Sequence, residues 1–134
     1  MVKRHDVEFE VEGGDRLRGW LFVPTDGSGP RPAVTMAHGY AAVKEHGLER
    51  FARAFAEAGF VVLVHDHRNF GASDGAIRHD IDPWRQIADW WRAISSLETL
   101  PEVEPLSPPP ATRHARSVSA PTCHRLSRSE NALT

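Results

Sequence analysis

Between residues 33 and 67 the hydrophobic pattern changes period twice, and this restricts the fold more than any other feature of the chain. "AVTMAHG" at 33–39 is short and almost continuous in apolar or small residues, as expected of a strand covered on both faces. Leu48, Phe51, Ala52 and Phe55 then recur at helical spacing, and Gly59 supplies a left-handed stop. "FVVLVHDH" at 60–67 returns to a β-branched run. Strand–helix–strand implies two parallel strands with the helix packed on one face of their sheet. Such sheets keep their working residues in the loops beyond the carboxyl ends of the strands. Here those loops are "HGYAAVKEHG" at 38–47 and "DHRNFGASDG" at 66–75.

The flanks extend the pattern. Val7, Phe9 and Val11 alternate with polar residues, "GGD" at 13–15 turns the chain, and "RLRGWLFVP" alternates again, which predicts an antiparallel hairpin. "TDGSGPRP" is a loop by composition. Asp82 suits a helix cap and Pro83 the first helical position. Trp84, Ile87, Ala88, Trp91 and Ile94 then form one apolar stripe up to Pro101, and core packing is the expected role of Trp84 and Trp91. The predicted fold class is therefore α/β: an antiparallel hairpin, then parallel strands with helices.

At 134 residues there is room for one domain, and 40% apolar with 25% charged residues is ordinary for a globular protein. Those totals conceal a split near Pro105. Residues 1–105 carry 12 Lys+Arg and 17 Asp+Glu, a net of −5, whereas 106–134 carry four Arg and one Glu, a net of +3. Every Trp, Phe, Tyr, Ile, Gly and Met lies in the first part. The expected organisation is a domain over 1–105 and a disordered basic tail over 106–134, because a Ser/Pro/Arg-rich segment has too little to bury to offset the cost of ordering. The net charge of −2 offers no footprint for nucleic acid, and no apolar run reaches membrane-spanning length. The N-terminus lacks the apolar stretch of a secretion signal, and the single cysteine, Cys123, suits a reducing cytoplasm.

"MAHGY" after a strand, "FARAFAEAGFVVLVHDHRNFGASDG" and the helix "DPWRQIADWWRAISSLETLPEV" together resemble the N-terminal portion of an α/β-hydrolase, near the dienelactone-hydrolase-like and serine-aminopeptidase-like branch. The resemblance covers roughly residues 6–105. It implies a serine hydrolase of small ester or amide substrates, without a cofactor. His-Gly-x after the third strand would make x, here Tyr40, an oxyanion donor through its backbone N–H. The family's D-x-R-G-x-G-x-S loop is matched by Asp66, Arg68, Gly71 and Ser73, with Asn69 where glycine is usual.

That alignment bears on "GASDG", which also matches the nucleophile pattern G-x-S-x-G. A nucleophile elbow needs a sharp turn directly from strand to helix. Ser73 instead lies in a loop, well before the helix that starts near Asp82. The resemblance places the nucleophile after the next strand, beyond "LPEVEP", where this chain reads "LSPPPATRHARS". The expectation is a chain without nucleophile, acid or histidine of the triad, its sequence diverted by a frameshift near codon 106 and inactive alone. The alternative is a non-catalytic binding module with a basic tail.

Smaller signals receive plain readings. His38, Gly39, Asp66, Arg68, Gly71 and Ser73 are expected to hold the two loops. His65 and His67 lie two apart on a strand, but a metal site needs three or four donors, so no metal is expected. "KEH" at 44–46 reads as a solvated loop tip. In the family the third strand also pairs with the fifth, which is missing here, so its edge should stand open and favour self-association.

Overall fold

The structure is a computed structural model that describes residues 1–105 and the backbone of Ser127–Arg128; the rest of the expected tail lies outside the described residues. The hairpin forms from β1 (Val2–Glu10) and β2 (Arg16–Pro24), paired from Val2↔Pro24 to Glu10↔Arg16. β3 (Ala33–Ala37), α1 (Leu48–Glu57) and β4 (Val61–His65) make the expected parallel unit, with Ala33↔Val61 through Ala37↔His65 in register. α2 (Pro83–Glu98) follows, and β5 (Ser127–Arg128) pairs antiparallel with Val7 and Glu8 of β1. The sheet order is β3-β4-β2-β1-β5. Of the expected tail only these two residues are described, and their backbone joins the β1 edge.

Two hydrophobic clusters fill the two faces. β4 is buried along its whole length and sends Val61 and Leu63 to one face, Val62 and Val64 to the other, which is the strand alternation applied to a strand between two layers. The first face packs Phe9, Leu17, Leu21, Ala93 and Leu97, so α2 covers it. The second packs Phe22 against Ala52 and Ala56, so α1 covers that one. Gly19 belongs to this arrangement, since a Cβ there would run into the Val64 carbonyl of the neighbouring strand.

The caps match the sequence. Asp82 accepts hydrogen bonds from the N–H groups of Trp84 (3.1 Å) and Arg85 (3.2 Å), with Pro83 at the first helical position. Gly59 takes φ +100° just past α1.

One expectation about the core fails. On α2 the buried residues are Asp89, Ala93, Ser96 and Leu97, whereas Trp84 is 80% exposed and Trp91 67% exposed. The apolar stripe is real, but a neighbouring face of the helix meets the sheet. That face carries the small residues that permit close approach, together with Asp89, which is held by a buried arginine. The same preference appears on α1, where Ala52 and Ala56 are buried while Phe51 and Phe55 remain about half exposed.

Candidate functional site

Both loops predicted to carry function leave the same end of the parallel pair, and Asp66 ties them together. Its side chain is fully buried. Oδ1 accepts the backbone N–H of Lys44 (2.7 Å), and Oδ2 accepts both the Lys44 ammonium (2.6 Å) and the N–H of Ala72 (3.0 Å). One carboxylate therefore fixes the loop after β3 and closes its own loop on itself. Gly71 follows from this, because its φ is +53° and a Cβ there would collide with Asp66 Oδ2.

Lys44 was expected in a solvated loop tip, yet its side chain is only 5% exposed. Burial alone would lower its pKa, but hydrogen bonds to Asp66 and Glu45 outweigh that and leave it above the ordinary lysine value. A charged residue in a polar loop reads as surface when its partner lies 22 positions away. The Asp66–Lys44 pairing had no signature in local sequence.

Arg68 braces the far side. It donates through Nε and Nη2 to Asp89 of α2 (3.2 and 2.8 Å), and through Nη1 to the Glu12 carbonyl (2.9 Å) and Asp15 (3.1 Å). The Asp89 hydrogen bonds hold the guanidinium pKa above its usual value. Hairpin turn, loop and helix are thus joined at one planar, five-donor group. Asn69 sits at φ +70°, the left-handed conformation that explains why glycine is usual at this motif position and why asparagine is tolerated.

Ser73 is 2% exposed and fully engaged. Its hydroxyl donates to the Asp66 carbonyl (2.7 Å) and accepts the N–H of Arg18 (2.9 Å). It stitches the loop to β2 and has no histidine partner.

The loop after β3 is held at its ends and open at its tip. His67 Nε2 donates to the His38 carbonyl (2.9 Å), and His38 Nε2 donates to the His46 carbonyl (2.7 Å). Between these anchors Gly39 and Tyr40 begin a turn in which the Ala42 N–H reaches back to the Gly39 carbonyl and Ala41 takes φ +54°. Tyr40 is 89% exposed. Beside it lies a cleft of about 210 Å³ lined by His38, Gly39, Tyr40, His67, Phe70 and Ile81 among others. A larger cleft of about 670 Å³ on the β1–β2 side is lined by Glu8, Arg16 and Arg18, which are already committed to ion pairs. The smaller cleft, where the loop backbone is presented, is the better candidate for chemistry.

Beneath the loop, His65 is fully buried against Phe9, His67 and Trp90, with ring centroids 5.7, 5.5 and 4.9 Å away. Neither ring nitrogen has a hydrogen-bond partner among the described residues. Burial drives its pKa down to about 3, aided by the neighbouring His67, so it is a neutral core group near neutral pH. Among the described residues no three His, Cys, Asp or Glu side chains converge as metal ligands.

A sheet of this order, a His-Gly-x loop and an Asp-x-Arg loop bonded in this way define an α/β-hydrolase. The chain belongs to the X-Pro dipeptidyl-peptidase (S15) family, whose model matches residues 13–104. It is 40% identical over 100 residues to the thiohydrolase aneE of Aspergillus aculeatus, covering 75% of this chain and 30% of that protein. It is 42% identical over 106 residues to the polyketide transferase ATR5 of Stachybotrys chlorohalonatus, covering 78% and 34%. Among solved structures it is similar to the alpha/beta hydrolase GrgF from Penicillium sp., with TM-score 0.71 and 37% identity over 76% of this chain and 34% of that one. The chain therefore spans about a third of the length of these relatives. No helix among the described residues is long and apolar enough to cross a membrane.

Proposed function

We propose that this chain carries the oxyanion side of a serine-hydrolase site that acts on small acyl substrates, esters or thioesters rather than large polymers. The carrying observation is the loop 38–46. Side-chain-to-backbone bonds hold it, among them those that His67 donates to the His38 carbonyl and that the Lys44 N–H donates to Asp66, and it presents the Gly39–Tyr40 backbone beside a cleft of about 210 Å³. A preorganised main-chain N–H at such a point stabilises the charge that develops on an acyl oxygen. The printed names of the relatives, a thiohydrolase and polyketide transferases, support small-molecule acyl groups as the substrate class.

In this reading the nucleophile and its acid and base lie outside residues 1–105. The single G-x-S-x-G match in that range commits its serine to two backbone partners. Loss of one oxyanion donor costs about 10²–10³ in rate, while loss of the nucleophile costs about 10⁶, so the loop by itself does not turn over substrate. The departure from the family at Leu106 is read as a change of reading frame, and the intact protein as a cytoplasmic enzyme.

Sequencing the gene across codons 95 to 140 and translating all three frames tests this. The expected result is a second frame that continues into an apolar strand and a new G-x-S-x-G. The repaired chain should then hydrolyse a short-chain thioester, and the present chain should not. A gene with no such frame would remove the enzymatic reading.

A further inference from the structure

Asn69 stands where the α/β-hydrolase pattern has glycine, and glycine would satisfy its backbone, which sits at φ +70°. The side chain must therefore serve something else. It is buried, and its Nδ2 donates to the Asp80 carbonyl (3.1 Å). The main chain adds two bonds. The Asn69 N–H donates to the Asp74 carbonyl (2.9 Å), and the His79 N–H donates to the Asn69 carbonyl (3.0 Å). One residue thus holds both ends of the excursion from Asp74 to Asp80.

Gly75 is shaped to this contact. A Cβ there would come within 1.9 Å of Asn69 Oδ1, so the amide fits only because residue 75 has no side chain. The last glycine of "GASDG" therefore has a packing reason in place of a catalytic one. His79 takes φ +65°, a conformation that a residue with a Cβ keeps only where its neighbours impose it. Here the bond to Asn69 and the Phe70 ring, 5.8 Å away between centroids, do so.

The anchored Asp80 leads straight to the cleft of about 210 Å³. Ile81 comes next in the chain, Asp82 caps α2, and Gln86 lies in its first turn. Phe70, Ile81 and Gln86 line the cleft together with the loop 38–42. Because the peptide unit is planar, a carbonyl fixed at Asp80 also fixes the plane that leads into Ile81. All of these contacts lie within residues 38–86, so none depends on the chain beyond 105.

We propose that Asn69 is a specificity-determining positioning residue: by holding the Asp80 carbonyl it sets Ile81 as a fixed apolar wall of the cleft, which limits the length of acyl chain admitted. This rests on the reading of that cleft as the acyl site. A hydrophobic pocket discriminates by roughly 10-fold or more per methylene, and a wall that yields gives this up. Glycine at position 69 would satisfy the turn and leave the wall loose.

The full chain, with isotope-labelled isoleucine methyls and amides, is titrated with two thioesters of N-acetylcysteamine, butyryl and octanoyl, and followed by NMR. The expected result is tighter binding of the butyryl thioester, with shifts at the Ile81 methyl and the Tyr40 N–H. Asn69→Gly keeps the left-handed backbone and should reduce that preference at least ~5-fold, with a mobile Ile81 methyl and an unchanged far-UV spectrum. Asn69→Asp keeps the shape but not the N–H donor, and Gly75→Ala displaces the amide; both should act in the same direction. Loss of stability alone would weaken both thioesters equally and leave the preference intact. A preference unchanged in the three variants, or an Ile81 methyl equally ordered in them, would overturn the inference while the acyl site stood. So would a wild type that does not prefer the shorter chain. No shift with either thioester in the wild type would overturn the proposed function and this inference with it.

Discussion

The loops after β3 and β4 begin at the same end of the sheet and are built in opposite ways. In the loop after β4, Asp66, Arg68 and Ser73 are all buried, and each bonds to a different part of the chain. In the loop after β3, the anchors at His38 and Lys44 bracket a tip whose Tyr40 is 89% exposed. The difference separates a bonded scaffold from the surface proposed to work. A rigid, satisfied loop sets the position of a second loop, which is free to present its backbone. The motif residues whose side chains look most chemical, a Ser, an Asp and an Arg, are the scaffold; the group proposed to act is a main-chain N–H with no side-chain signature.

Breaking the scaffold should cost most. Asp66→Ala leaves two backbone N–H groups in a buried site without their acceptor and the Lys44 ammonium with Glu45 alone. Removing one partner of a buried charge pair costs about 3–5 kcal/mol, so urea denaturation should show a chain at or beyond its limit of stability. An Asp66→Ala variant as stable as the wild type would refute the scaffold role.

Acidification should come next. The folded-state pKa of His65 is about 3, below its unfolded value of 6.5, so the unfolded chain binds the extra proton between those limits. Stability therefore falls as pH drops through that window, by about 2 kcal/mol from pH 7 to pH 5. Thermal melts across that range should show the slope. His65→Leu should flatten it and, by removing two unpartnered ring nitrogens, should not destabilise the protein at pH 7.

Ser73→Ala should cost about 1–3 kcal/mol, the price of leaving a buried N–H and carbonyl without the hydroxyl that joins them. A change near zero would mean that the loop is held without it. Tyr40→Ala should leave the urea midpoint almost unmoved, because an exposed side chain away from special features shifts stability by less than about 0.5 kcal/mol. A large loss there would show that the tip is packed and would erase the contrast between the loops.

Much of the fold was legible in the sequence. Alternation marked the hairpin, the apolar runs marked β3 and β4, and Asp82–Pro83 and Gly59 marked helix limits, because all of these are local signals. Which side of α2 meets the sheet was not legible. Periodicity identifies an apolar stripe but cannot see that Arg68 holds Asp89 from a loop 21 residues away. Lys44 escaped notice for the same reason, since its burial depends on Asp66. The motif positions Asp66, Arg68, Gly71 and Ser73 were found through resemblance, and their partners only through the structure. β5 could not have been anticipated, since two polar residues carry no strand signal.

The central question is whether any serine in this chain is a nucleophile. The direct measurement is labelling of the purified full chain with a fluorophosphonate probe, beside its Ser73→Ala variant and an intact thiohydrolase relative. The relative should be labelled, and neither form of this chain should be. Stoichiometric labelling of the wild type that disappears in Ser73→Ala would contradict that, and would make the loop after β4 the catalytic one.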